Sequence, residues 1–355
     1  MIKSLEMGRK NSYSLRVVVV SIGLFFYFSP LCLRDSLGEE TINAPTAIAS
    51  AAEELFPINL LLLDEYFSHH VIVAEKSTHL LHLFENQNGF PKLLKSYQMA
   101  TGKTAGDKSN QGDLRTPEGI YQLMSFLNDK DLRQRYGQEG KIYGVGAFVL
   151  NYPNFMDKQK NKTGNGIWLH STDDETRISK GLDSKGCVVI NEADIKDVAH
   201  YIALEDTSII IVQDLLYVKK KTWDTLRNDL INQIQHWVNA WSQEDIDRYL
   251  DAYHKQDFRD PHRKNYQGLR SYKSQVFSRP GKPQIKISHL SLMTFEDYTV
   301  VHLLQDYQSD TIKDVGKKTL YLKKDDHYSW KIISETFQRS VTKPEMTFVP
   351  SKRFF

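Results

Sequence analysis

The sequence predicts a mainly β domain with a few helices, followed by an α+β domain built on a curved antiparallel sheet. Three observations predict it. Between residues 69 and 218 short apolar runs recur, most of them opened by Gly, as strands separated by turns do. From Leu226 the period changes: Ile231, Ile234, Trp237, Val238 and Trp241 fall three and four apart, the spacing of an amphipathic helix. A length of 355 residues is also more than one core usually serves.

The chain opens on Lys3, Arg9, Lys10 and Arg16, then the apolar run 17–28. A basic flank before an apolar core shorter than a membrane span of about 20 residues reads as an export signal or membrane anchor over 1–34. Residues 35–68 read as an Ala-rich linker and a helical lead-in, "AIASAAEELFPINLLLLDEYF". The β domain, 69–218, starts with "HHVIVAEKSTHLLHLFEN", two strands about a turn at Lys76 and Ser77. "GFPKLLKSYQMATG", "GIYQLMSFL", "GAFVLNYP" and "GIWLHST" add strands. "NEADIKDVAHYIAL" reads as a helix with Asn191 as N-cap and Asp194 in its first turn, and "TSIIIVQD" as a closing buried strand. In the second domain, 224–340, "SQEDIDRYLDAY" is a second helix with Ser242 as its expected cap. Asp257, Arg259, His262 and Tyr266 read as loop residues, with lining of a pocket as the alternative, and four alternating runs from Lys282 to Phe337 read as the sheet. The basic tail 341–355 is expected to drape over the body.

Charge and cysteine usage narrow the function. A net charge of +2 without a basic stripe gives no footprint for nucleic acid. Cys32 lies in the leader, so Cys187 is the one thiol of the exported body and no internal disulfide can form. A solitary thiol in an oxidising compartment is a liability unless it is buried or used. His69 with His70 and His79 with His82 do not read as a metal site: strand positions three apart point to opposite faces, and no Cys or carboxylate joins them at ligand spacing. No cofactor is called for.

The chemistry concentrates in "GIWLHSTDDETRISKGLDSKGCVVIN", residues 166–191. A thiolate attacks an amide carbonyl well, and a paired histidine generates it near neutral pH. Cys187 is the candidate nucleophile, with Gly186 before it allowing a tight turn and close approach to substrate. The N–H groups around Gly186 and Cys187 are candidates for an oxyanion hole. His170 ends an apolar strand. Each residue also has a plainer reading: a cysteine before "VVI" suits a buried small hydrophobe, and a histidine after "IWL" suits a structural role.

These residues resemble the signature of the L,D-transpeptidase catalytic-domain family: a His, a gap, then Ser/Thr-x-Gly-Cys and apolar residues. The matching positions are His170, Ser184, Gly186 and Cys187. "GDLRTPEGIYQL" is similar to the family's Thr-Pro-x-Gly segment, and "TGK" and "LNYPN" agree with it. The resemblance implies a β-sandwich that acts on peptidoglycan stem peptides. Cys187 is then nucleophile, His170 general base and acid, and the Ser171 carbonyl orients the imidazole. Ser184, Lys185, Arg115 and Lys103 are the substrate-binding candidates. The sequence departs from the family twice, with Ser171 where many members have Gly and Val189 where many have Arg. The second domain resembles nuclear-transport-factor-2-like modules, which makes it a candidate dimerisation unit or pocket. The pairing resembles the L,D-carboxypeptidases that set cell shape in helical bacteria. The expected function is therefore acyl transfer from the L-diamino acid–D-Ala bond to an amine, with L,D-carboxypeptidase trimming as the alternative and a non-catalytic cell-wall-binding protein as the third. The expected place is the periplasm or cell envelope, with an inner-membrane tether through the N-terminal segment.

Overall fold

Strands with both faces covered organise the molecule. The computed structural model describes residues 53–340 and 354–355. The expected leader, the linker to residue 52 and tail residues 341–353 lie outside them. Among the described residues no helix is long and apolar enough to cross a membrane.

The first domain runs β1 (Leu55–Pro57), β2 (Leu60–Leu62), β3 (His70–Glu75), β4 (Leu80–Gln87), β5 (Phe90–Gly102) and β6 (Gly119–Asn128). Helix α1 (Asp129–Tyr136) and a 3-10 turn (Gly137–Tyr143) follow. Then come β7 (Gly146–Leu150), α2 (Phe155–Gln159), β8 (Trp168–His170), α3 (Thr176–Ser179), β9 (Leu182–Ser184), β10 (Val188–Ile190), α4 (Glu192–Ala199), β11 (Ser208–Val212) and β12 (Tyr217–Lys219). Nine strands form one sheet in the order β10, β8, β7, β6, β11, β3, β4, β5, β9, and β10 also pairs with β5. The sheet thus folds over its own core and closes, with Ile72, Leu83, Tyr121, Leu169, Val188 and Ile209 inside.

Strand alternation sends Val71, Val73, Ile120, Ile210 and Val212 to the other face, where they pack on Met293, Tyr298, Val300 and Ile333 of the second domain. This is why "HVIVAE" and "SIIIV" are apolar at nearly every position. Ile120 N–H donates to Tyr298 Oη at 2.9 Å across that contact. Gly119 (φ +148°) leaves room for it: a Cβ there would stand 3.0 Å from Tyr298 Oη. The two domains therefore share an apolar core.

The second domain comprises α5 (Lys220–Gln243), α6 (Ile246–Asp251), a short ladder of β13 (Arg259–Asp260) with β14 (Lys264–Asn265), α7 (Tyr266–Phe277), and strands β15 (Gln284–Phe295), β16 (Tyr298–Gln308), β17 (Lys313–Lys324) and β18 (Trp330–Arg339). Its sheet, ordered β18, β17, β16, β15, β2, curves around Trp223, Trp237, Tyr249, Leu269, Val301 and Leu320. Beside that core lies a cavity of about 580 Å³ lined by Trp241, Tyr249, Arg263, Lys273, Lys318 and Glu335 among others. Burial there pushes the Lys273 amine down to about 7.

Four local expectations need correction. The described part of the lead-in is not helical: β1 pairs with β12, and β2 forms the edge of the second domain's sheet beside β15. Pro57, which lacks an N–H and would interrupt a helix, sits at the end of β1. Ser242 lies inside α5, and the cap of α6 is Asp245, whose side chain accepts from Arg248 N–H. Tyr266 starts helix α7, where Asn265 accepts from Gly268 N–H and a Cβ on Gly268 would meet the Arg263 carbonyl oxygen at 2.0 Å. Asn191 holds the N-cap position of α4, but its side chain caps nothing and its Oδ1 is buried without a partner.

Candidate active site

Parallel pairing of β8 with β10 brings the histidine and the cysteine together. Val188 is opposite Leu169 and Val189 opposite His170. Leu169 and Val188 point into the core, so Trp168 and His170 on one strand share the opposite face with Cys187 and Val189 on the other. Cys187 and His170 thus project from adjacent strands, two residues apart in register, with the apolar core holding the strands from behind. Residues beyond that face complete the site. The thiol packs near Leu127, Leu132, Ala147 and Trp168 on one side and Ala100, Ile178 and Val189 on the other.

His170 is 2% exposed, and its Nδ1–H donates to the Ser171 carbonyl. A carbonyl can only accept, which puts the proton on Nδ1 and leaves Nε2 as the basic nitrogen. Burial lowers the imidazole pKa to about 4, opposed by the Ser171 bond and assisted by the charge of Arg177. Burial pushes the half-buried Cys187 thiol up to about 11, against the pull of the Trp168 backbone N–H, Arg177 and Lys108 toward thiolate. The resting pair is neutral thiol and neutral imidazole, and the thiol donates to the Gly166 carbonyl at 3.5 Å.

Ser184 pins the turn that carries the candidate nucleophile. Its Oγ accepts from Gly186 N–H at 3.0 Å and donates to the Cys187 carbonyl at 2.6 Å. Gly186 N–H is therefore occupied, and Cys187 N–H is the donor left for a developing oxyanion. Gly186 itself has φ +129°, and a Cβ there would stand 2.8 Å from the Arg115 carbonyl oxygen. Arg115 approaches the site through its backbone, while its guanidinium lies near the Asp107 carbonyl at 3.5 Å and its Nε is buried without a partner. Lys103 and Lys185 are exposed at the rim on either side of Ser184, whose carbonyl accepts from Lys103 N–H at 2.9 Å.

Two residues of the site escape a reading of the sequence. Arg177 of α3 is 8% exposed, ion-paired to Asp183, and donates through Nη1 to the Ile142 carbonyl (3.1 Å) and Thr172 Oγ1 (3.2 Å). Tyr143 packs on Trp168 with the rings tilted at 52° and meets the His170 ring edge-to-face. Both come from segments whose local pattern is polar or Gly-rich, and only the tertiary fold brings them here. The histidines set aside as metal ligands lie elsewhere: His82 bonds Ser96, and His69 contacts its neighbour His70.

Comparisons with known proteins agree with this architecture. Residues 69–211 match the model of the L,D-transpeptidase catalytic domain (YkuD), and residues 229–336 match that of the Cds6 C-terminal NTF2-like domain. Bd1075 of Bdellovibrio bacteriovorus aligns at 34% identity and a TM-score of 0.70, over 82% of this chain and 100% of its own. The helical cell shape determining protein Pgp2 of Campylobacter jejuni aligns at 25% identity and a TM-score of 0.60, over 79% of this chain and 95% of its own. No curated protein sequence matches. With the catalytic-domain match over residues 69–211 and a likeness at 34% identity over 82% of the chain, the chain belongs to the L,D-transpeptidase (YkuD) family, in the form that carries a C-terminal NTF2-like domain.

Proposed function

We propose that the chain modifies peptidoglycan through a cysteine acyl-enzyme. The observation that carries this reading is the shared sheet face of Cys187 and His170, with the imidazole tautomer set by the Ser171 carbonyl. Cys187 Sγ attacks the carbonyl of the L-centre of the third stem residue, in its bond to D-Ala. His170 Nε2 takes the thiol proton as the S–C bond forms, and the carbonyl electron pair moves onto oxygen toward Cys187 N–H. Collapse breaks the C–N bond, His170 returns the proton to the leaving D-Ala amine, and a thioester remains. An amine acceptor then gives a cross-link, and water gives a trimmed tripeptide. The second outcome, L,D-carboxypeptidase action, is favoured by the near full-length likeness to a cell-shape determinant. Lys103 and Lys185 at the rim are suited to the substrate's carboxylates.

A cell-wall-acting family implies a place in the envelope. The N-terminal segment would carry the chain there or tether it to the inner membrane, and the second domain would supply a dimer contact or a ligand pocket.

The test is incubation of the protein, and of Cys187→Ala, with disaccharide tetrapeptide, followed by mass spectrometry. Loss of one D-Ala that depends on Cys187 identifies the carboxypeptidase. A dimer linked between two diamino acids identifies the transpeptidase. No turnover refutes both and leaves a non-catalytic wall-binding protein.

A further inference from the structure

The segment between β6 and β7 crosses the catalytic face as a strap, and the structure fastens it at three points. Ser171 Oγ donates to the Tyr143 carbonyl (3.2 Å) and accepts from Val145 N–H (2.9 Å). Arg177 Nη1 donates to the Ile142 carbonyl at 3.1 Å. Gly144 lies between these bonds with φ +59°, and a Cβ there would stand 2.3 Å from Ser171 Oγ, so the strap can sit this close only as glycine. The serine that replaces the family's usual glycine after the histidine thus has a task for its side chain as well as its carbonyl.

What the strap delivers is the ring of Tyr143. It meets His170 with ring centroids 5.0 Å apart at 81°, and it rests on Trp168 at 4.8 Å. Tyr136 closes the cluster at 5.8 Å from both Tyr143 and Trp168. An imidazole tethered only through Nδ1 can still swing about that bond, which would turn Nε2 away from the face it shares with Cys187. An aromatic edge-to-face contact on the ring restricts that swing.

We propose that Tyr143 is a positioning residue for His170: held by Ser171 Oγ and Arg177, its ring fixes the imidazole plane and so keeps Nε2 on the side of Cys187 for transfer of the thiol proton. The inference rests on the cysteine–histidine reading above. The groups facing the pair are Arg177 from α3, Lys108 from the 103–118 loop and Tyr143 itself, whose phenol is held protonated by burial and by the nearby thiol.

The experiment has a substrate-free arm. The full chain is alkylated with iodoacetamide across pH, and the peptide containing Cys187 is quantified by mass spectrometry, so Cys32 does not contribute. The readout is the rate at pH 7 divided by the high-pH plateau, in which changes of access cancel. His170→Ala gives the unassisted ratio. Tyr143→Leu, which keeps apolar bulk on Trp168, is expected to lower the ratio at least about 10-fold. Tyr143→Phe, which keeps the ring, is expected to restore it, and Ser171→Ala to fall between. On tetrapeptide, Tyr143→Leu is expected to lower kcat by about 10- to 100-fold with little change in KM.

A Tyr143→Leu ratio equal to wild type overturns the proposal. So does a Tyr143→Phe ratio as low as that of Tyr143→Leu, or a defect confined to KM. His170→Ala equal to wild type removes the cysteine–histidine pairing itself. If wild-type protein leaves tetrapeptide intact, the proposed substrate fails while the alkylation series still decides the role of Tyr143.

Discussion

Mild acid should destabilise this protein through its candidate base, and the size of the effect follows from the site. His170 is 2% exposed, and its imidazole pKa is lowered from 6.5 to about 4, chiefly by burial. Below pH 6.5 the unfolded chain binds a proton at this residue that the folded chain refuses until about pH 4. The folded pKa is the depressed one, so the contribution is complete above 6.5 and is lost as pH falls toward 4. One proton's difference is worth about 1.4 kcal/mol per pH unit, hence about 3 kcal/mol over the whole gap. His70, also lowered to about 4, adds a similar slope in wild type. The clean measurement is therefore a difference. Urea unfolding of wild type and His170→Asn is followed from pH 6.5 to 5, above the range where most carboxylates titrate. Because the unfolded histidine is only half protonated at pH 6.5, the wild-type profile should be steeper by about 1 kcal/mol per pH unit on average over that range. The same argument puts the acid limb of kcat/KM near pH 4. Parallel unfolding profiles, or an acid limb near 6.5, would refute the neutral resting pair.

Two further outcomes follow from contacts elsewhere. Gly186→Ala puts a Cβ 2.8 Å from a backbone oxygen of the 103–118 loop at φ +129°, so it should reduce turnover about 100-fold; unimpaired turnover would show that the turn tolerates displacement. Glu335→Gln keeps the shape of a buried side chain but removes the negative charge beside Lys318 (2.7 Å), Lys273 and Arg263, and should cost about 3 kcal/mol by urea unfolding; an unchanged midpoint would mean that the lysines lose their protons instead.

Strands that open at or just after a Gly were legible, because the turn signal and the apolar run coincide at Gly89, Gly119, Gly146 and Gly166. The candidate pair was legible through the spacing of His170, Ser184, Gly186 and Cys187. The lead-in was not. "FPINLLLL" is a continuous apolar run, and length and period alone do not separate a buried strand from a helix. Its partner strand, β15, begins more than two hundred residues later, so nothing local specifies the pairing. Helix α7 was hidden by Gly268, a poor helix former retained for its close approach to Arg263. The Asn191 cap had the right residue in the right place, but its amide is turned to Asp194 instead of the helix N-terminus.

Arg177 shows what a motif omits. It lies in "DDETRISKG", a stretch that reads as a solvated face, and the motif's own position for a cation holds Val189. Val189 shares the sheet face of Cys187 and packs on Ile178, so the helix that covers it sets the neighbouring Arg177 against the same pair. A cation is thus supplied from the covering helix instead of the strand, and it favours the thiolate while lowering the imidazole pKa. The two sources are not equivalent. Arg177 spends Nε on Asp183 and Nη1 on Ile142 and Thr172, so it has no fork to offer a substrate carboxylate. Under the proposed function, recognition of a substrate carboxylate would fall instead to the exposed Lys103 and Lys185 of the rim. On that proposal the site would keep the groups for acyl-enzyme formation without a bidentate hold on a second substrate, which is the balance expected for water as the acceptor.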